Sequence, residues 1–441
     1  MLLGAGSTLQ SCGEGAYYGV NDKIRILTEK EMRQIEQWAR QTRLAEMLSF
    51  FEALPRLFSL PRPVLLGSNN QDEILVEGLT SKHRVTKAIS NLDEPFNPTL
   101  RLQKTLMAKK REKSIGVMQP IYQELSKGFE KVCLAQGLGG CRGNIIRAHT
   151  LQKASFKAHA CNGHVYEINP FDAEPEGLRT RLVGINNATT FTGFCEHHDS
   201  NLFKPIETRQ FDLQPQQFFM YHYRAVALAY YTRPYKAKIF EKAYAENSKR
   251  ADVGPLKNFE QSIFLNKLEA EELRGHMQLY EHELQPQNWS AVEGHAWTGT
   301  KVPDFFAADF FGPRKDLRGK FIQDTKSLRP LRWLSLTVTA SDDRALVLLC
   351  AEKGSPLLSS CLNSLKQLPR DRRTMAVVNY IICQLENFIM LPGWWDALGE
   401  RTKRQFLDAR ASRYFPRDLP HVCEWGLSAV QQPANGGCQA A

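Results

Sequence analysis

The chain has 441 residues, and none of its apolar runs approaches the roughly 20 residues that cross a bilayer. No membrane span is expected. Its first residues, MLLGAGSTLQSCGEG, carry neither a basic stretch nor a sustained apolar one, so no secretion signal is expected either. There is no phosphate-binding P-loop, no dinucleotide fingerprint and no nucleophile-elbow serine. These absences set aside P-loop, Rossmann and α/β-hydrolase chemistry. No internal repeat occurs. Cysteine is sparse and scattered, with ten residues in the whole chain. Without secretory features these read as reduced thiols of a cytoplasmic protein, with the central ones as ligand candidates.

What is present is enough for a real core. Apolar residues make up 42% and aromatics 10%, and the length suits two or three domains. The net charge is +10, which favours an anionic partner, nucleic acid first. A protein partner is the other expectation.

Composition divides the chain into a disordered leader at 1–22, a helical region at 23–131, a zinc module at 132–210, a second helical region at 211–287, an α/β block at 288–430 and a disordered tail at 431–441. Thr28 and Glu31 form a capping-box pattern before a helix that runs to about Leu54. ILVEGL is a candidate strand. Residues 101–131 read as a basic helix, with Arg101, Lys104, Lys109, Lys110, Arg111 and Lys113 close together. It is either a solvated face or a phosphate-contacting one. The aromatic-rich stretch from Gln214 to Phe240 reads as a core helix rather than a base-stacking platform. A second long helix is expected over 257–283, where acids and bases interleave.

Beyond Asn288 the pattern becomes strand-like. LRWLSLTVTA, SDDR and ALVLLCA together predict a hairpin. The run from Met375 to Met390 predicts a buried helix that Pro392-Gly393 stops. Trp394 and Trp395 then dock on the core. Glu386 and Asn387, inside that run, need buried partners. Cys350, Cys361 and Cys383 read as buried thiols.

The stretch from Cys133 to Glu207 says most about function. Cys195-x-x-His198 is a compact ligand pair on a turn entering a helix. Cys133 and Cys141 supply the other half of a tetrahedral zinc site. Their spacer is wider than usual, and its glycines let the loop close. His149 and His197 compete for the fourth position. Cys161, beside His159 and His164, is a weaker ligand candidate. Asp199 suits a helix cap or a partner to a ligating histidine.

In order and residue type this stretch, residues 133–207, resembles the HNH nucleases, whose ββα-metal fold carries a general-base histidine on its first strand. The resemblance implies His149 as the base and Asn186 or Asn187 as the residue orienting it. It implies His197 or Asp199 as ligand to a catalytic Mg²⁺ or Mn²⁺. A structural zinc would take Cys133, Cys141, Cys195 and His198. The sequence departs from the pattern where Ala148 replaces an acidic or histidine ligand, and where Cys-x-x-His replaces a second cysteine pair. The gap from Cys141 to Cys195 is also long. The segments AHTLQK, GHVYEI, FCEHHDSNLFKPIE and LENF…PGWWDAL are similar to an uncharacterised bacterial family associated with defence against phage.

The expected fold is α+β and mainly helical. It has a central zinc-stabilised ββα-like or treble-clef-like module and a C-terminal strand-then-helix block. The expected function is metal-dependent hydrolysis of nucleic-acid phosphodiesters. The competing expectation is a non-catalytic zinc module that binds nucleic acid or protein. In that case His149 is a ligand or a structural residue.

Overall fold

Strand alternation and helical periodicity divide this chain into mixed helix and antiparallel sheet. The computed structural model describes strands within 7–88, then residues 118, 120–125, 129–169, 173–174, 177–249, 257–325, 330–412 and 422–430. Two compact units result, one of Met1–Gln103 with Lys326–Arg329 and one of Lys104–Thr325 with Pro330–Ala441.

The first unit holds two three-stranded antiparallel sheets. One comprises β1 (Ser7–Cys12), β2 (Gly15–Val20) and β3 (Lys23–Leu27). The other comprises β4 (Val64–Ser68), β5 (Glu73–Glu77) and β6 (Arg84–Ala88). The leader expected to lack structure therefore contains β1 and β2. Cys12 pairs with Gly15 and Val20 with Lys23. The ILVEGL strand is present as β5. The helix expected over 28–54, the charged part of the basic helix from Arg101 to Lys113, and the tail from 431 lie outside the described residues. Residues 120–125 are helical.

The second unit is built on an eight-stranded sheet flanked by helices. Its strands are β8 (His164–Glu167), β11 (Arg181–Gly184), β13 (Val292–Thr298), β14 (Phe305–Phe311), β15 (Leu334–Ser341), β16 (Arg344–Glu352), β17 (Phe388–Met390) and β18 (Ser428–Ala429). The order is β11-β8-β17-β14-β15-β16-β13-β18. The predicted hairpin is β15–β16, where Ser341 pairs with Arg344. Asp342 and Asp343 close it with φ of 51° and 55°, the left-handed pair a tight hairpin needs.

Alternation along these strands sorts side chains into two cores. Leu334, Leu336, Val338, Val347 and Leu349 join the core beneath α6 (Pro356–Lys366) and α7 (Arg370–Gln384). Leu346, Leu348 and Cys350 face α4 (Pro215–Ser248) and α5 (Lys257–Leu284). The two long helices appear where the sequence places them. Arg233 pairs with Glu269 at 3.0 Å and Lys267 with Glu241 at 2.7 Å between them. Cys350, Cys361 and Cys383 are buried thiols, as expected.

Two expectations change. The run from Met375 to Met390 is not one helix. The α7 helix stops at Gln384, Leu385 turns extended (ψ 153°), and Phe388–Met390 enters the sheet as β17. A continuous apolar run carries no period that separates the two states. Pro392 then opens the short helix α8 (Pro392–Asp396). Trp395 is buried there and Trp394 packs 4.6 Å from Phe305. The second change concerns β8 and β11, which belong to the stretch read as a zinc module. They complete the sheet that the C-terminal block begins, through β17. No described helix is long and apolar enough to cross a membrane.

Candidate metal centre

Three local devices bring four ligands together. Strand β7 (Ile145–His149) pairs antiparallel with β12 (Thr190–Cys195), and β12 runs directly into α2 (Glu196–Leu202). Cys195 therefore sits at the N-cap of α2, and His198 lies one turn later on the same face. On the free edge of β12, Val132 N donates to the Thr192 carbonyl and Leu134 N to that of Gly193, which sets Cys133 beside Cys195. The chain then turns through Gly139, Gly140 and Gly143, all at φ near +74° (73°, 73° and 75°), and returns Cys141 to the same point. Left-handed backbone of this kind suits glycine. Glu196 N and His197 N close the loop onto the carbonyls of Asn144 and Arg142.

The result is a Cys₃His group whose ligand atoms all lie within 4.8 Å of one another. His198 Nδ1 stands 3.2 Å from Cys133 Sγ, 3.6 Å from Cys141 Sγ and 3.4 Å from Cys195 Sγ. A tetrahedral zinc with ordinary Zn–S and Zn–N bonds would put these atoms about 3.5 Å apart. The donor set therefore fits zinc. The other ring nitrogen, Nε2, lies 2.9 Å from the Gly139 carbonyl, which fixes the tautomer that leaves Nδ1 free to ligate. Burial pushes the Cys133 thiol up to about 12. Burial also pushes Cys195 up, but the amides of His198 and Arg142 and the two other thiols outweigh it and hold that thiol below its ordinary value. Burial lowers His198, so its imidazole is neutral at pH 7. Neutral imidazole and thiolate are the forms that bind a metal.

His198 takes the fourth position, and neither His149 nor His197 does. His197 is the next residue round the helix; its Nδ1 meets Asn201 Nδ2 at 3.2 Å. Cys161 is exposed and paired in a short bridge with His164.

The other predicted site residues lie along and below β7. His149 ends that strand opposite Thr190. Its Nδ1 is buried and has no hydrogen-bond partner among the described residues. Burial first, then the Lys153 charge, lowers its basicity against the nearby Ala188 carbonyl, so the ring is neutral at pH 7. The two asparagines do not hydrogen-bond to it. Asn187 Oδ1 accepts from Arg147 at 2.5 Å, and Asn186 Oδ1 from Lys153 at 3.1 Å. The expected orienting contact is absent because both amide oxygens are taken by the Arg147 and Lys153 side chains. Asp199 is raised by burial, with Arg224 opposing and Glu207 adding to the rise, and its Oδ1 has no partner.

Sequence reasoning missed Arg224. It lies inside α4, its side chain 2% exposed, bound to Glu207 at 2.5 Å and stacked 3.9 Å over Phe203. A lone charge within FFMYHYRAVALAYY is the signal, because such a charge needs a buried partner. Asn387 also resolves. Its Nδ2 donates to Thr150 Oγ1 at 2.7 Å and to the Ala308 carbonyl at 2.8 Å, tying the sheet to the residue after His149. Glu386 pairs with Lys236 and Arg233 on α4.

The chain matches no family model, no curated protein and no solved structure.

Proposed function

We propose that this protein is a zinc-stabilised, metal-dependent nuclease of HNH-like type that acts on nucleic acid. One observation carries the reading. The Cys₃His set is complete without His149, so that imidazole is left at the end of β7, whose partner strand β12 leads into the helix carrying His198. Zinc with four protein ligands is a structural cross-link that fixes β12, α2 and the Gly-rich loop. The hydrolytic work then falls to other groups. Neutral His149 takes the proton from an attacking water. His197 or Asp199, both on the helix that carries His198, would supply a ligand to Mg²⁺ or Mn²⁺. That cation would stabilise charge on the leaving oxygen. The net charge of +10 favours a polyphosphate substrate. Bacterial antiviral defence is the setting that goes with this proposal, from the resemblance of four short sequence segments to an uncharacterised bacterial family, some members of which are associated with defence against phage.

A second reading has its own support. The buried, unpartnered Nδ1 of His149 and Oδ1 of Asp199 also suit a non-catalytic zinc module that binds nucleic acid or protein. One experiment separates the two. Wild type and His149→Ala are assayed with DNA and RNA in Mg²⁺ and Mn²⁺, after folding and zinc content are matched. The nuclease reading expects cleavage to fall by about 100-fold or more in the variant. Equal cleavage by the two proteins rejects His149 as the base. No cleavage by wild type favours the binding module.

A further inference from the structure

A cavity of about 840 Å³ lies beside the β7–β12 pair, with none of the four metal-ligand candidates in its lining. Its walls come from β7 and β12, from α4 between Leu228 and Ile239, and from the β17 approach at Glu386–Phe388. The volume suits a ligand of roughly 20–30 heavy atoms, within the range of small-molecule sites.

Charge decides the ligand's sign. The acidic side chains of the lining are engaged. Glu167 bonds Arg181 at 2.6 Å, and Glu386 pairs with Lys236. Buried Asp309 accepts the amides of Phe310 at 2.9 Å and Glu386 at 2.6 Å. Among the described residues, two exposed cations of the lining have no acidic partner, Lys131 and Arg147. The only side chain bonded to Arg147 among the described residues is the neutral Asn187. Arg147 stands opposite a β-bulge, where Thr192 and Gly193 face one residue of β7. Bulges of this kind re-aim a side chain. A divalent cation is therefore disfavoured and an anion is favoured.

Shape adds the second half. Phe129 and Tyr235 stack with centroids 3.9 Å apart, and Tyr231 meets Phe129 edge-on at 6.2 Å. All three rings line the cavity. Most of α4 belongs to the core, and on the cavity side it presents buried Tyr231 and, one turn on, half-buried Tyr235. Flat π-faces bind by stacking, and each base has one. Thr190 and Asn187 add polar groups to the lining. A ligand with one anionic end and one planar aromatic end satisfies both.

We propose that this cavity binds a nucleotide unit, with its phosphate at Arg147 and Lys131 and its base against Phe129 and Tyr235. The unit is either a free nucleotide or one residue of a strand. The inference stands apart from the nuclease reading and is tested in the His149→Ala protein, so that loss of catalysis cannot mask it. AMP, GMP, CMP and UMP are titrated calorimetrically, with adenosine and inorganic phosphate as half-ligand controls. At least one nucleotide binds about ten-fold or more tighter than either half. Arg147→Gln and Phe129→Leu each weaken it about ten-fold, with unchanged zinc content and circular dichroism. Competition by a single-stranded hexanucleotide identifies a strand as the source, and its absence identifies the free nucleotide. The proposal is overturned if no nucleotide binds at millimolar concentration, or if binding is indifferent to both substitutions.

Discussion

His198 and Gly139 hold each other in place: the imidazole Nε2 lies 2.9 Å from the Gly139 carbonyl while Nδ1 faces three thiols. The glycine has φ of 73° and ψ of 176°, a backbone region that side chains with a Cβ avoid. Gly139→Ala keeps all four ligands yet strains the carbonyl that orients one of them. Zinc affinity is expected to fall by about 10- to 100-fold, the usual cost of disturbing a ligand's hydrogen-bonded support. Competition against a chromophoric chelator measures it. Affinity equal to wild type would mean the Gly139 contact is incidental.

The metal itself is the next prediction. Elemental analysis should find one zinc per chain in wild type and none in Cys195→Ser. Metal removal leaves three thiols and an imidazole around an empty centre, so β12, α2 and the Gly-rich loop lose their cross-link. Chelator treatment should lower the melting temperature, and zinc should restore it. A folded wild type without zinc would remove the basis for reading this centre as structural.

The ligands were legible because Cys195-x-x-His198 is local, and a helix places residues three apart on one face. His197, one residue away, was the competing choice, and helical geometry turns it about 100° aside. The β15–β16 hairpin was legible for a similar local reason, since alternation and Asp342-Asp343 fall in adjacent positions. What could not be read depends on distant partners. Tyr166 of β8 pairs with Met390 of β17, and nothing near either residue announces it. Phe388–Met390 looked helical because apolar residues on every position hide the period. Asn187 could be recognised as a loop residue, but its preference for Arg147 over His149 is a matter of three-dimensional placement.

Glu272 gives the fold a pH dependence. It accepts from Trp333 Nε1 at 2.9 Å and from Leu331 N at 3.2 Å. Burial nonetheless pushes its carboxyl up to about 7 from the ordinary 4.5. The folded state thus holds this proton more tightly than the unfolded chain. Stability from Glu272 is full below pH 4.5, falls as pH rises toward 7, and is level above it. The loss is about 1–3 kcal/mol, allowing for partial exposure. Glu272→Gln keeps an acceptor and removes the charge, so it should gain stability over wild type at pH 8 and not at pH 4.5. Urea midpoints at the two pH values test this. An equal effect at both would show that the carboxylate is solvated.

Arg224 and Glu207 make the opposite kind of contact, where charge is stabilising because it is paired. The guanidinium is almost wholly enclosed, while Glu207 keeps 29% of its side chain exposed. Removing one partner is therefore asymmetric. Glu207→Ala strands a buried cation beside Phe203 and should cost about 2–4 kcal/mol. Arg224→Met leaves a carboxylate that can still reach water and fills the same space, so it should cost roughly half as much or less. The order matters for function too, since both charges act on His149 and Asp199. In Glu207→Ala the His149 imidazole loses the favourable charge of that carboxylate and becomes still harder to protonate. An NMR titration should show its midpoint moving down, with zinc content unchanged. If instead Arg224→Met proves the costlier substitution, packing over Phe203 rather than charge pairing dominates at this position.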